Sequence, residues 1–362
     1  MNTSPTPKIL IAASGTGGHL LPALYIARAL QRKNPNVQIE FVGSGRPLEE
    51  KIIGGAGITR SAIKIVGINK RGIKGIFEFL VLLPKAFIDT WAIITRFRPT
   101  CIIGVGGYAS VLPVTLGFLR GIPTWVHEPE LKPGLANSFL ARIATKVSVA
   151  FAEAKMPRPS RVVITGHPVR EEIREIDPNI PKGTPITNLL VTGGSQGAQS
   201  IDDGMISMVS DLQAKGISVW HQCRIQNVDL VTKAYEAAKV SARVSPFIDN
   251  MAEAYKWAHV VVGRAGAGTL MEYGAVNRPA VLVPYPSKGI QQSENAKILE
   301  SQGKALVVEE GPQFMERFKS ALITLFEPER FFQMHEKPCL QRVTDAADKI
   351  ADGILGISKL AS

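Results

Sequence analysis

The chain has 362 residues, 45% hydrophobic and 20% charged, and its 42 Lys and Arg outnumber 31 Asp and Glu to give a formal net charge of +11. That length and apolar content can bury a large core, more naturally in two domains than in one, and they exclude a mostly disordered chain. The positive excess suits an anionic partner (nucleic acid, a phosphorylated substrate or an acidic membrane), and charge alone does not choose among them.

The opening MNTSPTPKIL lacks a basic stretch leading into an apolar one, so no secretory signal is expected. KILIAA then has the pattern of a strand, SGTGGHL (14–20) that of a glycine turn, and LPALYIARAL that of a helix. A G-x-G-x-x-G dinucleotide fingerprint needs a third glycine and an acid at the tip of the second strand. Here Gly15, Gly17 and Gly18 are followed by His19, Leu20 and Leu21, and Glu40 falls inside the second strand. NAD-dependent hydride transfer is therefore disfavoured. A phosphate-facing turn and a plain βα turn with His19 as a cap both stay open.

VQIEFVGSG (37–45), CIIGVGG (101–107), TWVHE and KVSVAF repeat the strand-then-turn pattern, with helical spacing between them. Alternation of this kind predicts βα units on a parallel sheet. The most apolar segment, 76–97, contains Glu78, Pro84, Lys85 and Asp89, so it does not qualify as a membrane-spanning helix. Within it Phe87, Trp91 and Ile94 fall at i, i+4 and i+7, a stripe expected to face the core. Lys64, Lys70, Arg71 and Lys74 precede the segment, and basic residues beside Ile76, Phe77 and Phe79 suggest docking on anionic lipid. Cys101, Cys223 and Cys339 lack CxxC spacing and are expected to be reduced, mostly buried thiols.

Around 165–185 the pattern lapses into charge and proline, a linker composition. NLLVTGGSQGAQS (188–200) then restarts the opening theme, followed by HVVVGRAGAGT (259–269) and AVLVPYP (280–286). Two Rossmann-like domains with a cleft between them are expected, with the last helical segment, from about 342, free to pack on either. In GRAGAGTLMEYG, small residues let a ligand approach helix-terminal N–H groups, and Arg264 adds charge. Thr269 to Glu272 also spells a T-x-x-E capping box, so Glu272 is either a cap or a ribose ligand. Gln291, Gln292 and Asn295 open the next helix, as caps, solvated residues or readers of sugar hydroxyls, since amides both donate and accept. No D-x-D, metal-spaced cluster, Walker sequence or nucleic-acid module is present, so departing phosphates would be met by helix N-termini and arginine.

In order and spacing, GTGGHL, GVGGYAS, HEPELKPGLANSFLAR, GHPVR, GGSQGA, PFIDNMAEAY, GRAGAGTLMEYGAVNRPAVLVPYP and QQSENA resemble the MurG family, the N-acetylglucosaminyltransferases that complete lipid II. The similarity runs from about Lys8 past Gln302. It implies an α/β GT-B fold, two Rossmann-like parallel-sheet domains facing across a cleft. The implied division is an acceptor and membrane-facing domain at 1–166, a UDP-sugar domain at 167–341, and a helix at about 342–362 that packs back. It implies inverting transfer of GlcNAc from UDP-GlcNAc to the MurNAc 4-hydroxyl of undecaprenyl-pyrophosphoryl-MurNAc-pentapeptide, in peptidoglycan synthesis, by a peripheral enzyme on the cytoplasmic face of the membrane. No cofactor, essential metal or nucleic acid is implied; an anionic membrane surface and other cell-wall synthesis proteins are.

By the same resemblance Glu272 is a ribose ligand that keeps its capping role, and Ala267, Gly268 and Thr269 offer backbone to phosphate. Ile248 reads uracil, and Ser195, Arg170, Arg264, Gln291, Gln292 and Asn295 complete the donor side. Thr16, Gly17, Gly18, Tyr108, Glu130 and Asn137 fall to the acceptor. Two positions depart: the family's HEQN is HEPE here, with Pro129 and Glu130, and its GNPVR is GHPVR, with His167. An inverting displacement needs a base, for which His19 is the first candidate and Glu130 the second. Alternatives are a related GT-B transferase with another lipid acceptor, such as diacylglycerol, and a UDP-sugar-binding protein without turnover.

Overall fold

A computed structural model describes residues 6–65, 72–194, 197–286, 292–339 and 345–359. The chain divides into two units: Met1–Val169 together with Asp345–Ser362, and Arg170–Thr344.

Unit 1 is built on strands β1 Lys8–Ala13, β2 Gln38–Gly43, β3 Thr59–Ala62, β4 Cys101–Gly106, β5 Thr124–Glu128, β6 Lys146–Val149 and β7 Val162–Ile164. They pair in parallel in the order β3-β2-β1-β4-β5-β6-β7. β1 shows why ILIAA, after its first residue Lys8, is apolar without alternation. Ile9, Ile11 and Ala13 join one core cluster with Leu20, Leu24 and Ile350, whereas Leu10 and Ala12 join a second with Ile94, Val114 and Val126. Both faces of the sheet are covered, as a parallel sheet requires.

The helix Ala346–Ser358 belongs to unit 1. Its Ile350, Ile354 and Ala351 enter the first cluster, and Asp348 and Asp352 meet Arg32 (2.7 Å) and Lys33 (2.8 Å) in the last turn of the helix Gly17–Lys33. Gly353 permits the approach: a Cβ there would lie 2.3 Å from the Trp125 ring of β5.

The apolar segment forms one helix, Gly72–Phe97, continuous through Pro84. The core-facing stripe expected from Phe87, Trp91 and Ile94 does not hold. Ile94 is buried, but Phe87 and Trp91 are exposed and stack at 6.2 Å. The buried face is centred on Ala86, Thr90 and Ile93; at about 100° per residue, Trp91 points well away from it. Lys70 and Arg71, and the side chains of Lys74, Ile76, Phe77 and Phe79, lie outside the described residues. Among the described residues no helix is long and apolar enough to cross a membrane.

Unit 2 repeats the plan with β8 Asn188–Thr192, β9 Ser218–Gln222, β10 Ala242–Ser245, β11 Val260–Gly263, β12 Ala280–Leu282 and β13 Ala305–Val307, all parallel, in the order β10-β9-β8-β11-β12-β13. Leu189, Val191, Val260, Val262 and Val281 anchor its core. The order of each sheet reverses at one point, between β1 and β4 and between β8 and β11. Ligands of such sheets bind beyond the strand C-termini at that switch.

Candidate active site

In unit 1 the switch point carries loops 14–19 and 106–110. They are tied by Ser14 N–H donating to the Gly106 carbonyl (3.2 Å) and Ala109 N–H donating to Ser14 Oγ (3.3 Å). The helix Gly17–Lys33 starts there with Thr16 at its N-cap, no side-chain cap bond and no acid in its first turn. Thr16 and Gly18 are exposed and Gly17 is half-buried. The first N–H groups of that helix and its dipole thus favour an anion.

His19 follows in the first turn, so it is not the N-cap. Its ring lies over Gly106: with φ of 114° and no side chain, Gly106 leaves room where a Cβ would come within 2.5 Å of His19 Nδ1. That Nδ1 is buried and has no hydrogen-bond partner. Burial lowers the pKa of His19, against an opposing pull from the Val105 backbone, so the imidazole is neutral at pH 7.

The carboxyl of Glu128, at the end of β5, was not singled out from sequence. It is 2% exposed and accepts from the Glu130 N–H (2.9 Å), the Gly134 N–H (3.2 Å) and Asn137 Nδ2 (3.0 Å). Burial pushes its pKa up to about 7, against the pull of those donors and with a further push from the Glu130 charge. Glu128 therefore shapes loop 129–134 and holds Glu130, half-buried, by its backbone. Asn137 also donates to the His127 carbonyl (3.1 Å), which fixes its amide orientation and leaves its buried Oδ1 without a partner. Tyr108, half-buried, opens the turn after Gly107.

In unit 2 the helix Ala267–Val276 begins beyond β11, with Gly266 as N-cap and no side-chain cap bond. The T-x-x-E capping box does not form, because the helix starts two residues before Thr269 and places it inside the first turn. Glu272 is instead held from the side: Tyr255 Oη donates to its Oε2 (2.9 Å), and Arg170 Nε lies 3.7 Å from its Oε1. Burial raises the pKa of Glu272, with Arg170 and Tyr255 opposing. The capping half of its expected dual role is thereby corrected. Ala267 is buried and Gly268 half-buried at the helix start.

Arg264 is already matched in charge. It donates through Nη1 to Glu310 Oε1 (2.6 Å) and the Val283 carbonyl (3.1 Å), and stands over the Tyr285 ring at 5.4 Å. Ser200 Oγ donates to the same carboxylate oxygen (2.6 Å). Gln292 is also fixed: its Oε1 accepts from the Ala265 N–H (3.2 Å) and the Tyr285 N–H (2.9 Å). Its carbonyl is thus engaged by the loop, and its NH₂ remains as a donor near Gly266. Asn295 is fully buried and Ile248 is 4% exposed. Ser195 and Gln291 lie outside the described residues.

The structure thus gathers His19, Thr16, Gly17, Gly18, Tyr108, Glu130 and Asn137 in unit 1, and Arg170, Arg264, Ala267, Gly268, Thr269, Glu272 and Gln292 in unit 2. Glu128, Tyr255 and Glu310 complete these networks. Of the three only Glu128 left a signal, as the acid that ends a buried strand. Among the described residues no group of three or more His, Cys, Asp or Glu is arranged to hold a metal ion.

The Glycosyltransferase family 28 N-terminal domain matches residues 9–149, and the Glycosyltransferase family 28 C-terminal domain matches 188–350. The UDP-N-acetylglucosamine–N-acetylmuramyl-(pentapeptide) pyrophosphoryl-undecaprenol N-acetylglucosamine transferase of Shewanella frigidimarina is 35% identical over 359 residues, 97% of each chain. The protein of the same name from Anaeromyxobacter dehalogenans strain 2CP-C is 36% identical over 310 residues, 84% of this chain and 80% of that one. Among solved structures, Acinetobacter baumannii MurG superimposes with a TM-score of 0.77 at 27% identity, covering 97% of this chain and 99% of that one. A Neisseria meningitidis UDP-GlcNAc 2-epimerase shares the fold at 13% identity, with a TM-score of 0.66 over 96% and 100% of the two chains.

Proposed function

The chain belongs to glycosyltransferase family 28 and is a glycosyltransferase of GT-B fold, and on that premise we propose that it transfers GlcNAc from UDP-GlcNAc, with inversion, to the MurNAc 4-hydroxyl of undecaprenyl-pyrophosphoryl-MurNAc-pentapeptide. The observation that carries this reading is the 35% identity, over 97% of both chains, to a relative named for that transfer.

The donor binds unit 2. Its diphosphate meets the uncapped N-terminus at Ala267, Gly268 and Thr269, where N–H groups and the helix dipole stabilise charge building on the leaving group. The ribose hydroxyls bond Glu272, the uracil meets the backbone at Ile248, Ser195 contributes a further donor contact, and Arg170 adds positive charge. Gln292 offers its NH₂ to a sugar oxygen beside Gln291, and Asn295 anchors that helix. Arg264, paired with Glu310, braces the turn that precedes the phosphate site.

The acceptor binds unit 1. Its pyrophosphate meets Thr16, Gly17 and Gly18, and the free Oδ1 of Asn137 accepts from a sugar hydroxyl or amide. Tyr108 and Glu130 contact the sugar. The acceptor O4 attacks the anomeric carbon as the bond to UDP breaks, and the O4 proton passes to neutral His19. A single displacement inverts the anomeric centre.

Docking on the cytoplasmic face of an anionic membrane is supported by an exposed apolar face. Val81, Ile88 and Trp91 of Gly72–Phe97 and Phe118 and Leu119 of the helix Val111–Leu119 carry it, with Lys85 and Arg120 among them. Arg120 stacks on Trp91 at 4.8 Å. Other cell-wall synthesis proteins are further candidate partners there.

The test is purified protein with labelled UDP-GlcNAc and a lipid I analogue. UDP release that requires the acceptor supports the reading, whereas donor binding without release makes the protein a UDP-sugar binder.

A further inference from the structure

Two buried histidines of unit 1 take no part in the reaction above. Trp125 Nε1 donates to Ser148 Oγ (2.8 Å), Ser148 Oγ lies 2.9 Å from His127 Nδ1, and His127 Nε2 lies 2.9 Å from His167 Nδ1. The two imidazoles are close to parallel, 19° apart. All four side chains are at most 2% exposed. Beyond them, His167 Nε2 has no protein partner among the described residues.

The protons in this chain follow from its ends. An indole N–H only donates, so it occupies one lone pair of Ser148. Ser148 keeps one lone pair and one proton for its other two contacts; the Val126 carbonyl at 3.4 Å lies beyond the ordinary O–H···O range, so the proton is assigned to His127 Nδ1 at 2.9 Å. His127 therefore accepts at Nδ1, carries its proton on Nε2 and gives it to His167 Nδ1. His167 in turn carries its own proton on Nε2.

The chain cannot conduct. Passing that proton outward would draw one from each neighbour and leave Ser148 as an alkoxide, with no group behind it to resupply a proton. Such a chain orients; it does not relay. Burial keeps both rings uncharged, lowering His167 to about 3 and His127 well below its ordinary value, with neighbouring histidines pushing in the same direction.

We propose that His167 is a locked, neutral hydrogen-bond donor whose Nε2–H positions an oxygen atom of the acceptor, its tautomer set by His127 and Ser148. The Asn found at this position in the resembling family would also offer an N–H, so the change to GHPVR need not mark a lost function. The assignment of the ligand rests on the reading of unit 1 as the acceptor domain.

Two measurements test it. Two-bond ¹⁵N–¹H correlation spectra of the full chain at pH 7 should show His127 and His167 neutral and protonated on Nε2. In steady-state kinetics with the lipid I analogue, His167→Leu should raise the acceptor KM about tenfold and leave the donor KM unchanged, and His167→Asn should restore it. Should the Leu variant not fold, Ser148→Ala serves instead, disturbing the His127 tautomer in the spectrum and raising the acceptor KM. An Nδ1–H or doubly protonated His167, an unchanged acceptor KM, or a shift in the donor KM instead overturns the proposal. Wild-type protein with no acceptor-dependent turnover removes the acceptor reading and this proposal together; turnover with an unmoved KM removes this proposal alone.

Discussion

Tyr255 donates its phenol hydrogen to Oε2 of Glu272 across 2.9 Å, from a ring buried in the core of unit 2. The bond leaves the remaining lone pairs of the carboxylate facing Arg170 and any ligand beside it. A hydrogen bond to a charged group contributes about 1.5–3 kcal/mol. Tyr255→Phe should therefore weaken UDP binding on the order of tenfold with little change in kcat, and Glu272→Ala should weaken it further. Titration calorimetry with UDP measures both. Equal affinity in wild type and Tyr255→Phe would mean that the bond is structural alone.

His19 is neutral at pH 7 because burial lowers its pKa from 6.5. A base works only when unprotonated, so kcat/KM should be flat near neutrality and fall with acid at a pH below 6.5. His19→Ala should lower kcat about 100-fold or more with both substrates saturating, and should abolish that acid limb. A loss of only a few-fold would remove His19 as the base.

Acid stability should follow the buried imidazoles. Unfolded, His127 and His167 take protons near 6.5; folded, they resist, His167 down to about 3. Their stabilisation is fully present above 6.5 and declines as pH falls, by about 1.4 kcal/mol per pH unit for each histidine. Glu128 acts with the opposite sign. Its folded pKa of about 7 against 4.5 unfolded means its contribution is present below 4.5 and lost as pH rises through 7. Urea unfolding of His167→Asn between pH 4.5 and 6.5 should show a shallower decline than wild type; an unchanged slope would show that His167 titrates normally.

Membrane docking predicts cosedimentation with vesicles containing anionic lipid, weakened by salt through the basic residues and by Trp91→Ser through the apolar face. Equal binding to neutral vesicles would remove the electrostatic part. Retention of binding in a Phe87→Ser, Trp91→Ser double variant would place the contact elsewhere.

The strands were legible where they are fully buried. β1, β4, β8 and β11 are apolar on both faces and run into glycine turns, so composition alone marks them; β2, β5 and β6 were read from shorter apolar stretches that also carry Glu40, His127 or Ser148. β3, with the sequence TRSA, and β10, with ARVS, lie at the edges of their sheets and carry no such signal. The glycine turns were legible because helix N-termini at a switch point need small residues. What holds them was not. Glu310 is 46 residues from Arg264, and Tyr255 sits 17 before Glu272 on a separate helix, Met251–Trp257. Pairings of this kind are made by the fold, and no local spacing encodes them. The same reason explains the capping-box error, since T-x-x-E fits a helix start that the chain places two residues earlier.

The return of the helix Ala346–Ser358 to unit 1 has a consequence for synthesis. Unit 2 is an insertion between two segments of the first core, so the ribosome must pass Arg170–Thr344 before Ile350 and Ile354 exist to cover β1 and β4. At about 5–20 residues per second, that interval lasts on the order of ten seconds or more. During it, one apolar face of the nascent amino-terminal sheet waits without its final cover, whereas unit 2 draws all of its strands from one continuous stretch of chain. The first domain to begin is the last to be finished, and a chaperone that meets this chain would find its longest-lived client surface beside the helix Gly17–Lys33.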